Sequence, residues 1–236
     1  MIRKLISRLF GQRPVSGSGE PAVIGFKQHG IRRDALSSGS RRTVETLQQH
    51  GYKAYVVGGA VRDLLAGIPP KDYDVATSAT PEQVRQCFRR SRIIGRRFQI
   101  VHVMMGAETV EVTTFRGHHL EQAGSRSLID ADGRVLRDNV FGSQLEDADR
   151  RDFTVNALYY DPSNETIIDY HHGVADLQQK TLRMIGDPNA RFREDPVRML
   201  RVARFTAKLG FKVEPKTRKP IGELADTVAE AQRIFD

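Results

Sequence analysis

A glycine pair between a predicted strand and a predicted helix constrains the fold of this chain more than any other feature. Residues Lys53 to Val57 have the apolar, β-branched character of a strand, and Ala60 to Ala66 have the pattern of a short helix. Gly58-Gly59 forms the turn between them, because glycine adopts backbone conformations that other residues avoid. Tyr73 to Ala76 is a second predicted strand. The sequence therefore predicts a compact unit in which backbone amides at the helix start point outward and could meet a phosphate.

Two aspartates at the start of the second predicted strand are candidate metal ligands. Successive side chains of a strand point to opposite faces, so Asp72 and Asp74 share one face and Tyr73 takes the other. Carboxylates this close repel each other unless a cation lies between them, and Mg²⁺ commonly binds carboxylates and phosphates together. A lone glycine pair is usually a turn, and a lone Asp-x-Asp is usually an exposed edge or an Asx turn. Their combination, with Arg62-Asp63 on the intervening helix, favours nucleoside triphosphate chemistry.

The charge of the chain indicates an anionic partner. The 236 residues carry a net charge of +8, and nucleic acid is the commonest partner of such a chain, although a membrane surface also fits. The length allows one large domain or two small ones. The single cysteine, Cys87, excludes an internal disulfide and is compatible with the cytoplasm. Its place on the apolar side of a predicted helix indicates packing in the core.

The first 25 residues are predicted to lie outside the folded domain. Residues 2 to 10 place apolar side chains at helical spacing with basic residues between them, which indicates a short amphipathic helix. It is too short to span a membrane, and it could contact a membrane surface or a partner; a loosely ordered tail is the alternative. Gln12 to Pro21 is rich in glycine, serine and proline and is predicted to be a flexible linker.

The middle of the chain has regular helix and strand patterns. The predicted helices are Ser40 to Gln49 and Pro81 to Arg90, and the predicted hairpin strands are Phe98 to Met105 and Thr109 to Phe115. A capping box, in which Thr80 and Gln83 cap each other's backbone amides, opens the second helix. The hairpin turns at Gly106. The stretch from Gly117 to Gln144 has apolar residues at neither helical nor strand spacing and is predicted to be a mobile loop.

Further charged residues are candidate members of the acidic site. Glu111 alternates with valines in its predicted strand, so its side chain leaves the apolar face and either turns toward the aspartate pair or lies in solvent. Arg150 and Arg151 suit triphosphate oxygens, and Asp152 either orients these arginines or joins the acidic site. An ion-pair cluster at the start of a helix is the alternative for Arg150-Arg151-Asp152.

The predicted helix after Glu194 has one basic and one apolar face. Asp195 and Pro196 are residue types of a helix cap and a first-turn proline. The basic residues are Arg198, Arg201, Arg204 and Lys208, and the apolar residues are Met199, Leu200, Ala203 and Ala207. The four basic residues form a basic stripe along one side of the helix, and a stripe of this kind is usually a solvated helix face.

Several motifs together resemble those of the class II nucleotidyltransferases, the group of bacterial poly(A) polymerases and tRNA CCA-adding enzymes. They are Gly58-Gly59-x-Val61-Arg62-Asp63, Asp72-x-Asp74, Gly95-Arg96-Arg97-Phe98, Glu111-Val112-Thr113-Thr114-Phe115-Arg116, Arg150-Arg151-Asp152-Phe153-Thr154-Val155-Asn156-Ala157-Leu158 and Arg193-Glu194-Asp195-Pro196-Val197-Arg198. The similarity runs from about Phe26 to the C-terminus. It implies an α+β fold: a polymerase-β-like palm, a mixed sheet with flanking helices, over residues 26–175. The start of an all-helical neck follows over residues 176–236.

The resemblance also implies a reaction, the template-independent addition of AMP from ATP to RNA 3′ ends with two Mg²⁺ ions. One ion, held by Asp72 and Asp74 with Glu111 or Asp152, would activate the RNA 3′-hydroxyl, and the second would hold the triphosphate. Asp152 is expected to be the third catalytic acid, but the choice between Glu111 and Asp152 as third metal ligand is open. The expected nucleotide-binding residues are Gly58, Gly59, Arg62, Asp63, Arg150, Arg151, Asn156, Asp195 and Arg198; the expected RNA-binding residues are Arg201, Arg204 and Lys208.

Two of these expected residues have specific roles in the resemblance. The Glu-Asp-x-x-Arg motif implies that Asp195 and Arg198 imitate the Watson-Crick edge of a base, since a carboxylate accepts and a guanidinium donates hydrogen bonds. Asp63 is expected to orient Arg62.

Two other functions stay open at this point. Both branches of the group share the site motifs, and Gln28-His29-Gly30-Ile31, Gly95 to Val103 and Phe115 to His119 favour poly(A) addition over CCA addition to tRNA. An RNA-binding module without catalysis is disfavoured by the intact aspartate pair, because acids beside phosphates weaken binding. Family members are considerably longer, so the chain is expected to be a fragment or a natural truncation.

Overall fold

An eight-stranded mixed sheet organises the computed structural model, which describes residues 19–95, 99–117, 128–129, 135–137 and 141–224. The strands are β1 (Ala22–Gly25), β2 (Ala54–Val57), β3 (Asp74–Thr77), β4 (Ser91–Ile94), β5 (Ile100–Met105), β6 (Glu108–Thr114), β7 (Leu128–Ile129), β8 (Val135–Arg137), β9 (Leu158–Asp161), β10 (Thr166–Asp169), β11 (Thr181–Leu182) and β12 (Lys212–Val213). The helices are α1 (Phe26–His29), α2 (Ser38–Gln49), α3 (Gly59–Leu65), α4 (Pro81–Cys87), α5 (Gln144–Asp149), α6 (Gly173–Gln178), α7 (Pro188–Glu194), α8 (Val197–Leu209) and α9 (Pro215–Leu224).

The strand order of the large sheet is β1-β10-β9-β2-β3-β6-β5-β4. Strands β3 and β6 are parallel, and the other neighbouring strands of this sheet are antiparallel. All four residues of β2 are buried, as expected for a central strand that is covered on both faces. The predicted α+β fold, a mixed sheet with flanking helices, is therefore confirmed.

Helices cover both faces of the sheet. On one face α2 packs through Val44 and Leu47, which are fully buried as predicted, and Cys87 of α4 packs against the same core. On the other face Ala148 of α5 lies among buried aromatic residues of the sheet, including Tyr159. The central strands β2 and β9 are buried on both sides, so functional side chains near them lie at the strand ends, whereas β6 keeps exposed side chains such as Glu111 on one face.

A second core joins the helices after residue 176 to the end of the palm. Phe153 packs edge to face against Phe205 of α8, with ring centroids 5.7 Å apart. The buried face of α8 differs from the prediction: Val202 and Phe205 are buried, whereas Leu200 is 50% exposed. Ala203 and Ala207 are exposed as well. Apolar residues occupy more than one face of this helix, and periodicity alone could not identify the face that meets the second core.

Several predicted boundaries need correction. Strand β1 begins at Ala22, inside the stretch 1–25 assigned to the tail and linker, and it pairs with β10. Helix α4 ends at Cys87 rather than Arg90, and β4, which follows it, was not predicted. The prediction that residues 176–236 are all-helical needs correction, because the described part of this stretch also contains β11 and β12, which pair in parallel with each other. The Thr80 capping box and the β5–β6 hairpin are confirmed, with Gly106 at a φ of +70° in the turn.

Some predictions fall on parts of the chain that the structure does not describe. These are the N-terminal amphipathic helix and most of the linker, residues 96–98 of the Gly-Arg-Arg-Phe motif, and most of the predicted loop from 117 to 144. The described parts of that loop include β7 and β8, which pair with each other. Among the described helices, none combines the length and the apolar character that spanning a bilayer requires.

Candidate active site

A cleft of about 880 Å³ lies between the end of the large sheet and helix α8. Its lining includes most residues that the sequence predicted for the site: Gly58, Gly59, Arg62, Asp63, Asp72, Asp74, Arg150, Arg151, Asp152, Asn156, Asp195, Arg198, Arg201, Arg204 and Lys208. It also includes Ala60, Lys71, Val197 and Phe205, for which no role was predicted. Glu111, a predicted metal ligand, does not line the cleft.

The strand directions explain why the sheet residues converge. Strand β2 is antiparallel to β3, so its last residue, Val57, lies opposite Asp74. The Gly58 turn that follows β2 therefore lies beside the aspartate pair at the start of β3. Gly58 has φ +70° and ψ −127°, a conformation that favours glycine. A Cβ at this position would lie 3.5 Å from Nη1 of Arg151. The glycine turn, the aspartates and Arg151 thus occupy one end of the sheet.

The Asp72–Asp74 pair concentrates negative charge at one end of the cleft. Burial raises the pKa of the half-buried Asp74 carboxyl above its ordinary value, and the Glu111 and Asp72 carboxylates raise this pKa further. Arg151 acts in the opposite direction and lowers it. Across the described residues, no three His, Cys, Asp or Glu side chains converge as ligands of one metal ion. Magnesium needs only one or two protein carboxylates when phosphates and water complete its shell, so the Asp72 and Asp74 oxygens fit this ion.

Glu111 lies next to the aspartate pair but faces a second partner. It is opposite Asp74 in the parallel register and opposite His102 of β5 in the antiparallel register, so the three side chains share one face of the sheet. Nε2 of His102 lies 3.5 Å from Oε1 of Glu111. The Glu111 side chain is about half exposed. Its position is consistent with the predicted turn toward the aspartates.

Asp152 has a different set of partners from the one expected. Its Oδ2 accepts a hydrogen bond from Nε of Arg201 at 2.7 Å, and its Oδ1 accepts one from Nδ2 of Asn156 at 3.1 Å. Of the two alternatives for Asp152, the one in which it orients Arg150 and Arg151 is wrong, because the buried carboxylate of Asp147 holds both arginines. Asp152 instead joins the palm to helix α8 at the wall of the cleft.

Asp147 is the site residue that sequence reasoning missed. This fully buried carboxylate accepts hydrogen bonds from Arg150 at 3.0 Å, from Arg151 at 2.9 Å and from the Tyr159 hydroxyl at 2.8 Å. Burial alone would raise the pKa of Asp147, but Arg151, Arg150 and the Tyr159 hydroxyl together hold this pKa well below its ordinary value. The available signal was its spacing, three and four residues before the two arginines on a helix that opens with a capping box.

Arg62 and Asp63 form the buried floor of the cleft. Nε of Arg62 donates to Oδ1 of Asp63 at 2.7 Å, which confirms that Asp63 orients Arg62. Nη1 of Arg62 also donates to Oδ1 of Asn156 at 2.6 Å. With only 3% of Arg62 exposed, its guanidinium is largely occupied by these two partners. Arg62 therefore links α3 to the turn before β9 in addition to lining the cleft.

The predicted base-reading pair lies at the start of α8. Oδ1 of Asp195 accepts from the Val197 amide at 3.2 Å, so Asp195 caps the helix from the residue before Pro196. Nη1 of Arg198 donates to Oε2 of Glu194 at 2.7 Å, and Nε of Arg198 is 3.9 Å from Oδ2 of Asp195. Arg198 is thereby held beside Asp195, and both side chains line the cleft.

The basic stripe of α8 faces the palm acids. Nζ of Lys208 is 3.0 Å from Oδ2 of Asp63, and Arg201 pairs with Asp152. The expected RNA-binding role of Arg201 and Lys208 therefore competes with these ion pairs. Arg204 is exposed and, within the described part of the chain, forms no ion pair or hydrogen bond through its side chain.

A mixed sheet with paired aspartates at its end, opposed by a basic helix across a cleft, is the arrangement of a nucleotidyltransferase. The comparison with protein families agrees, because the poly(A) polymerase head domain matches residues 54–183. The chain belongs to this family of class II nucleotidyltransferases.

Relatives from both branches of the family are similar to the chain. Poly(A) polymerase I of Escherichia coli is 52% identical over 218 residues, which cover 91% of this chain and 47% of that protein. A CCA-adding enzyme of Enterococcus faecalis is 42% identical over 181 residues, covering 76% of this chain and 42% of that protein. The crystal structure of the Bacillus stearothermophilus CCA-adding enzyme in complex with CTP matches with a TM-score of 0.70 and 38% identity, over 83% of this chain and 46% of that one. The chain thus spans about half the length of the curated relatives it matches.

Proposed function

We propose that this chain is the catalytic part of a polynucleotide adenylyltransferase, which adds AMP from ATP to RNA 3′ ends without a template. The observation that carries the proposal is the half-buried Asp74, which shares one cleft with Asp72, Arg151 and the Asp195–Arg198 pair. This cleft has carboxylates for a metal, cations for a triphosphate and hydrogen-bonding groups for a base. The higher and longer identity to poly(A) polymerase I supports AMP rather than CCA addition.

Magnesium is the metal proposed for the carboxylates of Asp72 and Asp74, with Glu111 favoured over Asp152 as the third acid. Glu111 raises the pKa of Asp74, whereas the Asp152 carboxylate is paired with Arg201. When bound, magnesium would lower the pKa of the RNA 3′-hydroxyl and stabilise the charge that develops on the triphosphate. The two-ion arrangement common to such reactions is part of this proposal.

The chain's own residues would bind and orient the two substrates. Backbone groups of the Gly58-Gly59 turn can approach phosphates closely, because these residues have no side chains. Arg150 and Arg151, held by Asp147, are the cations proposed for the triphosphate oxygens. The guanidinium of Arg198 and the carboxylate of Asp195 would read the edge of the adenine. The RNA 3′ end would then approach along the open side of the cleft.

The second candidate function is CCA addition to tRNA. It is favoured by the similarity to the Bacillus stearothermophilus enzyme, whose structure contains CTP and whose fold matches most of this chain. Both functions use the same palm, so they differ in nucleotide choice and in the RNA that is extended rather than in the acidic site.

The test is nucleotide addition with each nucleoside triphosphate supplied singly. The chain is incubated with magnesium, a short single-stranded RNA or a tRNA that lacks its terminal CCA, and either ATP, CTP, GTP or UTP. Adenylyltransferase activity predicts a ladder of products with ATP alone on the single-stranded RNA. Addition of two residues from CTP, restricted to the tRNA, would instead establish the CCA function. An Asp74→Asn variant purified in the same way controls for a contaminating polymerase.

A further inference from the structure

We infer that the basic stripe of α8 is divided between two tasks: Lys208 and Arg201 position the helix against the palm, and Arg204 contacts the RNA. This inference rests on the proposed function and makes it more specific. It separates residues that the sequence pattern groups together, since all four cations lie on one face of the helix and line the same cleft. Their partners differ, and the partners indicate the tasks.

Lys208 and Arg201 are paired with acids that are almost enclosed. The side chain of Asp63 is 8% exposed and that of Asp152 is 11% exposed, whereas the cations that reach them from α8 are each nearly half exposed. A carboxylate withdrawn from water needs its cation partner more than a solvated one does. Lys208 and Arg201 are therefore held at the palm and are not available to follow an RNA backbone.

The two ion pairs belong to one continuous network across the junction. Asp63 also accepts from Arg62, Arg62 donates to Asn156, and Asn156 donates to Asp152. The buried ring of Phe205 lies beside this chain of contacts, with Cζ of Arg62 5.1 Å and Cζ of Arg201 5.3 Å from its centroid. Contacts of this kind between cations and an aromatic ring are attractive and directional. The network therefore restrains α8 in two places, about two turns apart.

The restrained helix carries the residues that we propose read the base. Arg198 lies one turn before Arg201, and Asp195 lies just before the helix begins. The distance from these two side chains to the aspartate pair consequently depends on how firmly α8 is held. Lys208 and Arg201 thus act through Arg198 and Asp195, as positioning residues for nucleotide selection.

Arg204 lies between the two positioning residues and has no such partner. It is exposed, it lines the cleft, and among the described residues its side chain makes no ion pair or hydrogen bond. A cation in this position is available to an RNA phosphate. Binding a phosphate there would release a counterion, so the affinity for RNA would depend on salt partly through Arg204.

The test compares Lys208→Met, Arg201→Met and Arg204→Met in the 236-residue chain, with Lys212→Met as the matched control. Lys212 is exposed on β12 and does not line the cleft. Two quantities are measured for each variant: the ratio of the ATP and CTP specificity constants, and the affinity for a single-stranded RNA over a range of salt concentrations.

We expect the two quantities to separate the variants. Arg204→Met should reduce the slope of log affinity against log salt by about 0.7 and leave the nucleotide ratio unchanged, because one phosphate contact is lost. Lys208→Met and Arg201→Met should lower the ATP to CTP ratio by about tenfold and leave the salt slope unchanged, because a displaced base edge loses its hydrogen bonds. Lys208→Arg, which keeps the ion pair, should retain the ratio.

The inference is overturned if Lys208→Met reduces the salt slope as Arg204→Met does and keeps the nucleotide ratio. It is also overturned if Arg204→Met has the same salt slope as the unmodified chain. Thermal unfolding of each variant shows whether it is folded, and Lys208→Gln, Arg201→Gln and Arg204→Gln repeat the comparison if a methionine variant does not fold. A chain that adds no nucleotide would refute the proposed function, but its salt slopes would still test the division of the stripe.

Discussion

Asp74 of β3 lies directly opposite Glu111 of β6, and these two strands form the parallel pair among the described strands of the large sheet. Residues opposite each other in neighbouring strands project from the same face, so the two carboxylates lie side by side, and burial together with the Glu111 carboxylate raises the pKa of Asp74 more than Arg151 lowers it. Such an arrangement destabilises the fold unless a ligand neutralises it. Repulsion between these carboxylates therefore lowers the stability of the fold at the place where we propose that magnesium binds.

This repulsion predicts the effect of Asp74→Asn on stability. The pKa of Asp74 is raised in the fold, so the folded state binds the proton of this carboxyl more tightly than the unfolded chain does. The ionised carboxylate therefore lowers the stability of the fold at neutral pH, and this loss of stability is relieved as pH falls. Without metal, Asp74→Asn should have a higher thermal midpoint than the unmodified chain at neutral pH, and the difference should shrink in acid. Glu82→Gln, at an exposed position of α4, is the control and should change neither value. A lower midpoint for Asp74→Asn at neutral pH would contradict the proposed repulsion.

Glu111 and Asp152 should differ in their effect on the requirement for magnesium. Glu111→Gln removes a carboxylate beside Asp74 and should raise the magnesium concentration for half-maximal activity by about tenfold. Asp152→Asn weakens the contact with Arg201 and should raise the KM for ATP while leaving the magnesium requirement near its original value. Titration of nucleotide addition with magnesium at several ATP concentrations separates the two effects. If Asp152→Asn changes the magnesium requirement more than Glu111→Gln does, then Asp152 is the third metal ligand.

Asp147→Asn should destabilise the palm and impair the arginine pair. Removal of one partner from a buried ion pair leaves the remaining charges uncompensated, at a cost of about 3 kcal/mol. Because the pKa of Asp147 is lowered in the fold, its contribution is present above the ordinary aspartate pKa and is lost as pH falls through the lowered value. Urea unfolding at neutral and acidic pH measures the difference. Asp34→Asn, in an ion pair whose side chains are both more than 60% exposed, should cost about 0.5 kcal/mol or less. Equal losses for the two variants would refute the role of Asp147.

The Asp195–Arg198 pair should affect base choice more than stability. Arg198→Ala and Asp195→Ala would leave the base edge unpaired in a partly desolvated cleft, at a cost of about 1–3 kcal/mol in discrimination between ATP and CTP. The competing account makes Asp195 only a helix cap, whose loss costs about 1 kcal/mol of stability. Asp187→Ala is the matched control, because Asp187 caps α7 through the Ala190 amide at 2.9 Å and does not line the cleft. Equal nucleotide ratios for the Asp187 and Asp195 variants would leave Asp195 with the capping role alone.

Local patterns predicted four of the eight strands of the large sheet, β2, β3, β5 and β6, because these strands and the turns beside them are encoded in short stretches. The Thr80 capping box and the hairpin at Gly106 depend on residues within a few positions of each other, and the structure contains both. The antiparallel pairing of β2 with β3 places Gly58 beside Asp74. These two strands belong to one short unit, in which the glycine turn and α3 connect them. Sequence reasoning could thus bring together the glycine turn and the aspartate pair.

Local patterns could not predict contacts between segments that are far apart in the sequence. The pairing of Lys208 with Asp63 joins residues 145 positions apart, and no periodicity in either segment indicates it. The buried face of α8 was also missed, because Val202 and Phe205 are selected by the second core rather than by the helix itself. Glu111 could not be placed from the alternation of its strand alone, since the register of β3 and β6 decides which acid it faces.

The most direct measurement is single-turnover nucleotide addition by Asp72→Asn and Asp74→Asn, with thermal unfolding of the same preparations. An amide is nearly the size of a carboxylate but binds magnesium far more weakly, so each change removes a proposed ligand with little effect on shape. The account predicts that ATP addition to RNA falls by about 10³-fold or more in each variant, while both variants still unfold cooperatively. Near-normal turnover by either folded variant would contradict the assignment of the aspartate pair as the metal-binding centre of a nucleotidyltransferase.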